Sequence, residues 1–300
     1  MRRRDHREMR SARTKLLPTA VIRRMGTIVG HGRGGRLLKG LRRVEPGFLT
    51  EVAWSVLVGS RRSLAHDCRR VVGLMAADVR IEGLPLVPRR EPFLLVANHF
   101  QSADLWVGWV AAAITAAVAE AREPERSEIH WVIISEWRWF ELGGVWVPNP
   151  VSAWLFPRAC HVWGLIPMPA RPSDVAGRAR ALRRVLAYLG VRRGEEAAAP
   201  EPVAMFPEGR ATMALGEAKP GVGAFLHRVN SRGVPLLPAG VYQESGTLFV
   251  RFGGPFALRG APSEEGELDD WARQQVMVAI GRLLPRRLWG AYADAIARAE

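Results

Sequence analysis

The sequence predicts an α/β fold: a mixed, largely parallel sheet flanked by helices, preceded by a basic arm and an amphipathic helical segment. Three observations predict it. Short uninterrupted apolar runs, bounded by turn residues or charge, recur at 93–97, 129–134, 203–206 and 234–241; such runs suit strands buried on both faces. Segments with helical spacing of apolar residues alternate with them, the order expected when helices cover the faces of one sheet. Charge is uneven: residues 1–43 hold fourteen Lys/Arg against two acids, so the other 257 residues carry only +2 of the net +14.

The bulk numbers narrow the class. With 300 residues, 48% of them apolar, the chain can bury a sizeable core. Its 21 prolines and 30 glycines are too dispersed for a fibrous or wholly disordered protein. Cys68 and Cys160 are the only cysteines, which excludes a disulfide framework and a cysteine metal pattern and fits a reducing compartment. The longest uncharged runs, 105–119 and 142–157, fall short of the roughly 20 residues that cross a bilayer. Residues 16–22 are too short for a secretory core, contain Pro18 and run into Arg23-Arg24. The expectation is a chain that is soluble or bound to a membrane face.

Each element follows in order. Residues 1–45 read as a basic arm, attractive to anionic lipid or nucleic acid, with a solvated arm as the plain alternative. Residues 46–78 form the helical segment: Leu49, Val52, Val56 and Leu57, then Leu64, Cys68, Val71 and Met75, recur at helical spacing, with Arg61, Arg62, Arg69 and Arg70 as a basic side. With Trp54 this segment suits either a lipid interface or ordinary packing on the body. The body is expected to span 79–300. Residues 79–82 alternate as a short strand ending at Gly83, and 93–97 form a buried strand. A helix follows over 105–121, with Ser102 or Asp104 as its cap. Residues 129–134 are a strand, 174–189 a helix and 192–202 a polar loop. A strand at 203–206, a helix at 221–230, strands at 234–241 and 248–252 and a closing helix at 268–284 complete the order. Between Trp131 and Trp163 stand six of the eleven tryptophans, a density that suits a membrane–water boundary or a large aromatic wall.

Two segments carry chemistry. Asn98-His99-Phe100-Gln101-Ser102-Ala103-Asp104 follows a buried strand, where chain reversals line the ligand crevice of open α/β sheets. A neutral imidazole is a suitable base near pH 7, and Asp104 is placed to hold its other ring N–H and stabilise the imidazolium. No Ser or Cys nucleophile is obviously paired with His99, which suggests direct attack by an activated substrate hydroxyl. Taken alone, the pair equally describes a helix cap or a buried hydrogen bond. Phe206-Pro207-Glu208-Gly209-Arg210 follows a second apolar strand. Its carboxylate suits a polyol and its guanidinium a phosphate; a surface turn with an ion pair is the alternative. Lys219 is the only lysine outside the arm, in a chain with forty arginines, and an ammonium is not replaced by a guanidinium at every site.

Together these segments resemble the glycerolipid and lysophospholipid acyltransferase family. Asn98-His99 through Asp104 is similar to its first motif and Phe206 to Gly209 to its Phe-Pro-Glu-Gly motif. Lys219-Pro220-Gly221 and Val234-Pro235-Leu236-Leu237-Pro238 resemble two later segments, and Leu284-Pro285 with Gly290 and Tyr292 a bacterial tail. Two departures bear on the acceptor. Arg210 follows Gly209 directly, with Thr212 after it, and the segment ending in Arg171 is a loose match carrying two prolines.

The resemblance implies an acyltransferase-like α/β fold. It implies that His99 removes the proton from an acceptor hydroxyl, which attacks the thioester of acyl-CoA or an acylated carrier protein, with Asp104 orienting His99. Glu208, Gly209 and Arg210, with Arg171 and Lys219, are then expected to hold the acceptor. That acceptor is expected to be a lysophospholipid, foremost 1-acylglycerol 3-phosphate, in phospholipid biosynthesis. No metal or tightly bound cofactor is expected, and the place of action is the inner, cytoplasmic face of a membrane. The rival readings are the same chemistry on an acylated amino acid or a glycolipid, and a basic lipid- or nucleic-acid-binding protein.

Overall fold

A computed structural model describes residues 45–75, 77–103, 105–142, 145–171, 173–191 and 199–300. The expected basic arm, apart from residue 45, and most of the polar loop at 192–202 lie outside the described residues. Among the described residues two helices come first, α1 (Pro46–Val58) and α2 (Leu64–Leu74), within the segment read as helical. Pro46 opens α1, where its missing N–H is no loss, and Gly59 closes it at φ +74°. Ser63 caps α2 by accepting the His66 N–H at 3.0 Å, and the Glu128 carboxylate accepts the Leu64 and Ala65 amides. Both offer acceptors to the positive end of the helix.

The body alternates strands and helices: β1 (Val79–Glu82), β2 (Leu94–Ala97), α3 (Val107–Ala121), β3 (His130–Ile134), β4 (Arg138–Leu142), β5 (Val145–Pro148), α4 (Pro150–Trp163), β6 (Ile166–Met168), α5 (Val175–Tyr188), β7 (Val203–Met205), α6 (Val222–Asn230), β8 (Leu236–Glu244), β9 (Thr247–Phe252), α7 (Leu268–Gly281) and α8 (Ala293–Arg298). Seven strands form one sheet in the order β1-β9-β8-β2-β7-β3-β6; β4 and β5 pair separately as an antiparallel hairpin. Every neighbouring pair in the large sheet is parallel except β8–β9. Ser245 and Gly246 join those two strands with φ of +48° and +82°. Two left-handed residues make the tight hairpin turn that only an antiparallel pair accepts.

β2 lies at the centre, between β8 and β7, and its four residues are fully buried. Leu95 and Ala97 face a core shared with α3 and α4, while Leu94 and Val96 face a core with α5, α6 and α7. The continuous apolar run is thus used on both faces. α1 and α2 are fastened to the first of these layers. Arg62 donates twice to Asp67, at 2.6 and 2.7 Å, and the Trp163 indole N–H adds a third bond to Asp67 at 2.8 Å.

Several expectations need correcting. Ser102 does not cap α3, which begins two residues later than expected with Trp106 at its N-cap and no side-chain cap from it; Asp104, the other expected cap, lies outside the described residues. Ser102 instead accepts the Leu105 N–H within the preceding loop. The apolar strand expected at 234–241 begins only after Pro235 and runs on to Glu244. The closing helix stops at Gly281 rather than 284. The tryptophan-rich stretch, 131–163, contains most of β3, the β4–β5 hairpin and α4. α4 was hidden by Pro157 in its interior, yet it is sealed at both ends: Asn149 accepts the Ser152 N–H, and Gly164 closes it at φ +65°. No described helix is long and apolar enough to cross a membrane.

After α7 the chain returns across the loop at 215–218. Leu215 donates its N–H to Leu288 and accepts that of Ala291, both at 2.9 Å, while the Tyr292 hydroxyl accepts the Ala218 N–H at 3.1 Å. Gly290 permits this approach: its φ is +48°, and a Cβ there would stand 2.0 Å from the Leu215 carbonyl oxygen. Gly290→Ala is expected to cost about 1–3 kcal/mol of stability. It should lower the urea midpoint without changing the slope; an unshifted midpoint contradicts this packing.

Candidate active site

The parallel strands β8, β2, β7, β3 and β6 end at one edge of the sheet, and the two chemistry-bearing segments leave from adjacent strands there. Asn98-His99 follows β2, and Phe206-Pro207-Glu208 follows β7, which pairs with it. Asn98 extends the ladder with its side chain. Its amide donates to the Val241 carbonyl at 2.8 Å and accepts the Val241 N–H at 2.7 Å. This buried amide ties the start of the His99 loop to β8.

His99 is held on three sides. Its backbone N–H donates to Glu208 Oε2, and its carbonyl accepts the Thr212 N–H at 2.9 Å. Its ring stacks on Phe206 with 4.5 Å between centroids and 2° between planes. Phe206 in turn leans on Trp131, at 4.7 Å, whose indole donates to Thr115 at 2.8 Å. Among the described residues, His99 Nδ1 is buried and has no hydrogen-bond partner. Asp104, the carboxylate expected to serve it, lies outside the described residues.

Glu208 is buried, with 3% of its surface exposed. Besides the His99 amide it accepts the Gly216 N–H at 2.5 Å on Oε1. Burial pushes its pKa upward against the lowering pull of these donors. Gly209, exposed at φ +57°, lies under the Lys219 side chain: a Cβ there would stand 2.7 Å from Lys219 Cε. The Lys219 backbone is fixed by its N–H bond to Pro207, at 3.0 Å. Arg273 donates to the preceding Ala218 carbonyl, and Asp269 takes the Gly221 and Ala224 amides at the start of α6. The only lysine outside the arm is therefore set above the Glu208–Gly209 turn.

Arg210 is exposed and forms no ion pair among the described residues. Arg171, also exposed, follows β6 at the same edge. Three strand spacings separate β6 from β2, roughly 14 Å at the usual 4.8 Å each. The structure thus gathers His99, Glu208, Gly209 and Lys219 and sets Arg171 apart from them. Sequence reasoning missed Phe206, Thr212 and Gly216 as supports of the site. Phe206 stood inside the quoted motif, but its stacking partner had no signal in the spacing.

The electrostatics favour a neutral imidazole. Burial, and then the nearby Lys219 charge, pull the His99 pKa from 6.5 down to about 4. The ring therefore reaches neutral pH as an acceptor, not as an imidazolium. No described serine or cysteine is hydrogen-bonded to it. Cys68 and Cys160 are buried in the helical layer, which pushes each thiol up to about 12, so neither supplies a thiolate near pH 7. A groove of about 780 Å³ between α2, α3 and β1 is lined by residues such as Val72, Ile81 and Ala117 and by none of the site residues. No group of three or more His, Cys, Asp or Glu among the described residues is placed to hold a metal ion.

No protein-family model and no curated protein matches the chain. Among solved structures it is similar to the crystal structure of the 1-acyl-sn-glycerophosphate (LPA) acyltransferase, PlsC, from Thermotoga maritima, at 19% sequence identity and a TM-score of 0.44. That match covers 73% of this chain and 78% of the other.

The pKa of His99 gives a direct test. Its ring nitrogens, followed by NMR, should stay neutral on acidification until near pH 4. Lys219→Ala removes a like charge and should raise that midpoint; an unmoved midpoint removes Lys219 from the site's electrostatics. The sign for stability follows. Unfolded chains protonate this residue near 6.5 and the folded one near 4, so its share of stability is complete above 6.5 and is lost as pH falls from 6.5 toward 4.

Proposed function

We propose that this chain is an O-acyltransferase that moves a fatty acyl group from a thioester donor to the hydroxyl of a lysophospholipid. The observation that supports it most is the meeting of two segments 109 residues apart: a neutral imidazole at the sheet edge, bonded through its own backbone to the Glu208 turn. The acceptor hydroxyl gives its proton to His99 as its oxygen attacks the thioester carbonyl carbon. The tetrahedral intermediate collapses, the C–S bond breaks, and the departing sulfur takes the proton back from the imidazolium. No enzyme nucleophile is required, in keeping with the absence of a described Ser or Cys bonded to the ring. Asp104 is assigned the Nδ1 side of His99, where it would stabilise the transient imidazolium.

The acceptor class comes from charge. Lys219 stands within electrostatic reach of His99, and Arg210 follows the Glu208–Gly209 turn in sequence; both are exposed cations, and a phosphate monoester is the anion they suit. This favours 1-acylglycerol 3-phosphate over an uncharged glycolipid. Arg171 is assigned an outer position on the same rim. The donor is acyl-CoA or an acylated carrier protein, and no metal or resident cofactor enters the scheme.

A membrane surface fits the exposed apolar side chains of α1 and α4, two helices that pack together. Trp54 is 65% exposed, and Leu49, Leu57, Val58, Val151 and Trp154 also face outward. Aromatic and aliphatic side chains of this kind suit the interfacial region of a bilayer. The basic arm adds attraction to anionic lipid, consistent with peripheral binding on the cytoplasmic face.

The test is a mass-detected transfer assay with purified protein, acyl-CoA and a panel of lysolipids. His99→Ala should abolish transfer while leaving the circular dichroism unchanged; near-normal turnover in that variant removes the mechanism. Arg210→Ala should cut kcat/KM about 10- to 100-fold for phosphate-bearing acceptors, the worth of a charged hydrogen bond. It should leave uncharged acceptors unaffected. Equal losses on both remove the phosphate assignment.

A further inference from the structure

The Glu208 carboxylate is engaged on both oxygens and presents little surface to a ligand. Oε2 accepts the His99 N–H, and Oε1 accepts the Gly216 N–H at 2.5 Å. The Thr212 hydroxyl also approaches Oε1, at 3.2 Å, but its single proton is shared with the Ala214 carbonyl at 2.6 Å. Two backbone amides are therefore the firm donors, and both come from loops that frame the site. The residue is 3% exposed. The same loops are joined again where Thr212 donates to the His99 carbonyl and Gln101 donates to the Thr212 carbonyl, at 2.9 and 3.0 Å. The peptide groups on both sides of His99 are thus fixed, one by the carboxylate and one by Thr212.

We propose that Glu208 is a positioning residue for His99 and makes no contact with the acceptor. The proposal rests on the acyl-transfer reading above. Both Glu208 oxygens accept backbone N–H groups, and a carboxylate gives an amide a stronger hydrogen bond than a neutral acceptor does. Here it sets the backbone from which the imidazole projects, while Phe206 sets the plane of the ring. The acceptor is left to the exposed cations.

Glu208→Gln separates the two roles. A carboxamide has the same shape but one acceptor oxygen, and in either orientation its NH₂ faces a backbone N–H. A misplaced base lowers the chemical step, so kcat should fall about 10- to 100-fold while KM for 1-acylglycerol 3-phosphate changes less than about threefold. A carboxamide still hydrogen-bonds alcohols, so a direct contact predicts the reverse: a raised KM with kcat kept. That result overturns the proposal.

A second readout is independent of turnover. The His99 amide proton should resonate far downfield in the wild type and move upfield in Glu208→Gln; a resonance that does not move also overturns it. Should the variant fail to fold, hydrogen exchange in the wild type decides, because a His99 amide exchanging as fast as a solvated loop amide excludes the clamp. The two hypotheses fail separately. An active His99→Ala variant sinks acyl transfer itself, whereas an inactive one with an unimpaired kcat in Glu208→Gln sinks only the positioning role.

Discussion

One carboxylate joins the two halves of the site. The bond from the His99 amide to Glu208 spans 109 positions of sequence and only one step across the sheet, from β2 to its neighbour β7. The sheet brings the strand ends together, but it does not fix the loops beyond them. That work falls to Glu208, to the Asn98 amide on Val241 and to the Thr212 bonds. An ionised group under this much protein is costly unless its lone pairs are filled. Two amide donors, His99 and Gly216, offset that cost, and the same amides would be orphaned without it. Each side satisfies a demand of the other, so the loops have little freedom to separate.

The supports extend outward in layers. The loop at 215–221 carries Gly216 and Lys219 and is itself held by the chain's last turns: Leu288 and Ala291 on Leu215, Tyr292 on Ala218. From α7, Arg273 takes the Ala218 carbonyl while Asp269 caps α6. A residue near the end of the chain thereby helps to place a charge next to a base at position 99. Gly290 is the hinge of that arrangement because no side chain fits against the Leu215 carbonyl.

Much of this was legible in the sequence, and the rest was hidden for identifiable reasons. β2, β7 and β8 announce themselves because both faces are buried and the apolar run is unbroken. β6 does not: it is a three-residue edge strand with Pro167 in it, which an edge tolerates and a pattern reading rejects. α4 was masked by Pro157, although its two caps are conventional ones. In the site, the Glu208 carboxylate was read as meeting a polyol, with a surface turn and an ion pair as the alternative. The turn is present, but the side chain points inward, because its donors are amides at 99 and 216 that no local pattern places beside it. The stacking of Phe206 on His99 is invisible for the same reason. Lys219 was singled out by its rarity and by the resemblance of the segment it opens, and it stands within electrostatic reach of His99.

The low basicity of His99 then calls for a physical account. A base whose pKa is near 4 is ionised correctly at pH 7 but draws protons weakly, and proton transfer is most effective when the pKa lies closer to the working pH. Two causes lower it, and they respond differently to substrate. Burial is fixed by the Phe206 stack and the loop clamps. The Lys219 charge is not fixed in its effect, since an anion seated on that ammonium offsets its field at the imidazole. On the proposed reading the acceptor brings such an anion, its phosphate, together with the hydroxyl to be deprotonated. Its arrival would raise the basicity of His99 at the moment a proton must be taken. An uncharged acceptor would present its hydroxyl to a weaker base. Discrimination between the two would then fall on kcat as well as on KM, without any group of the protein having to move.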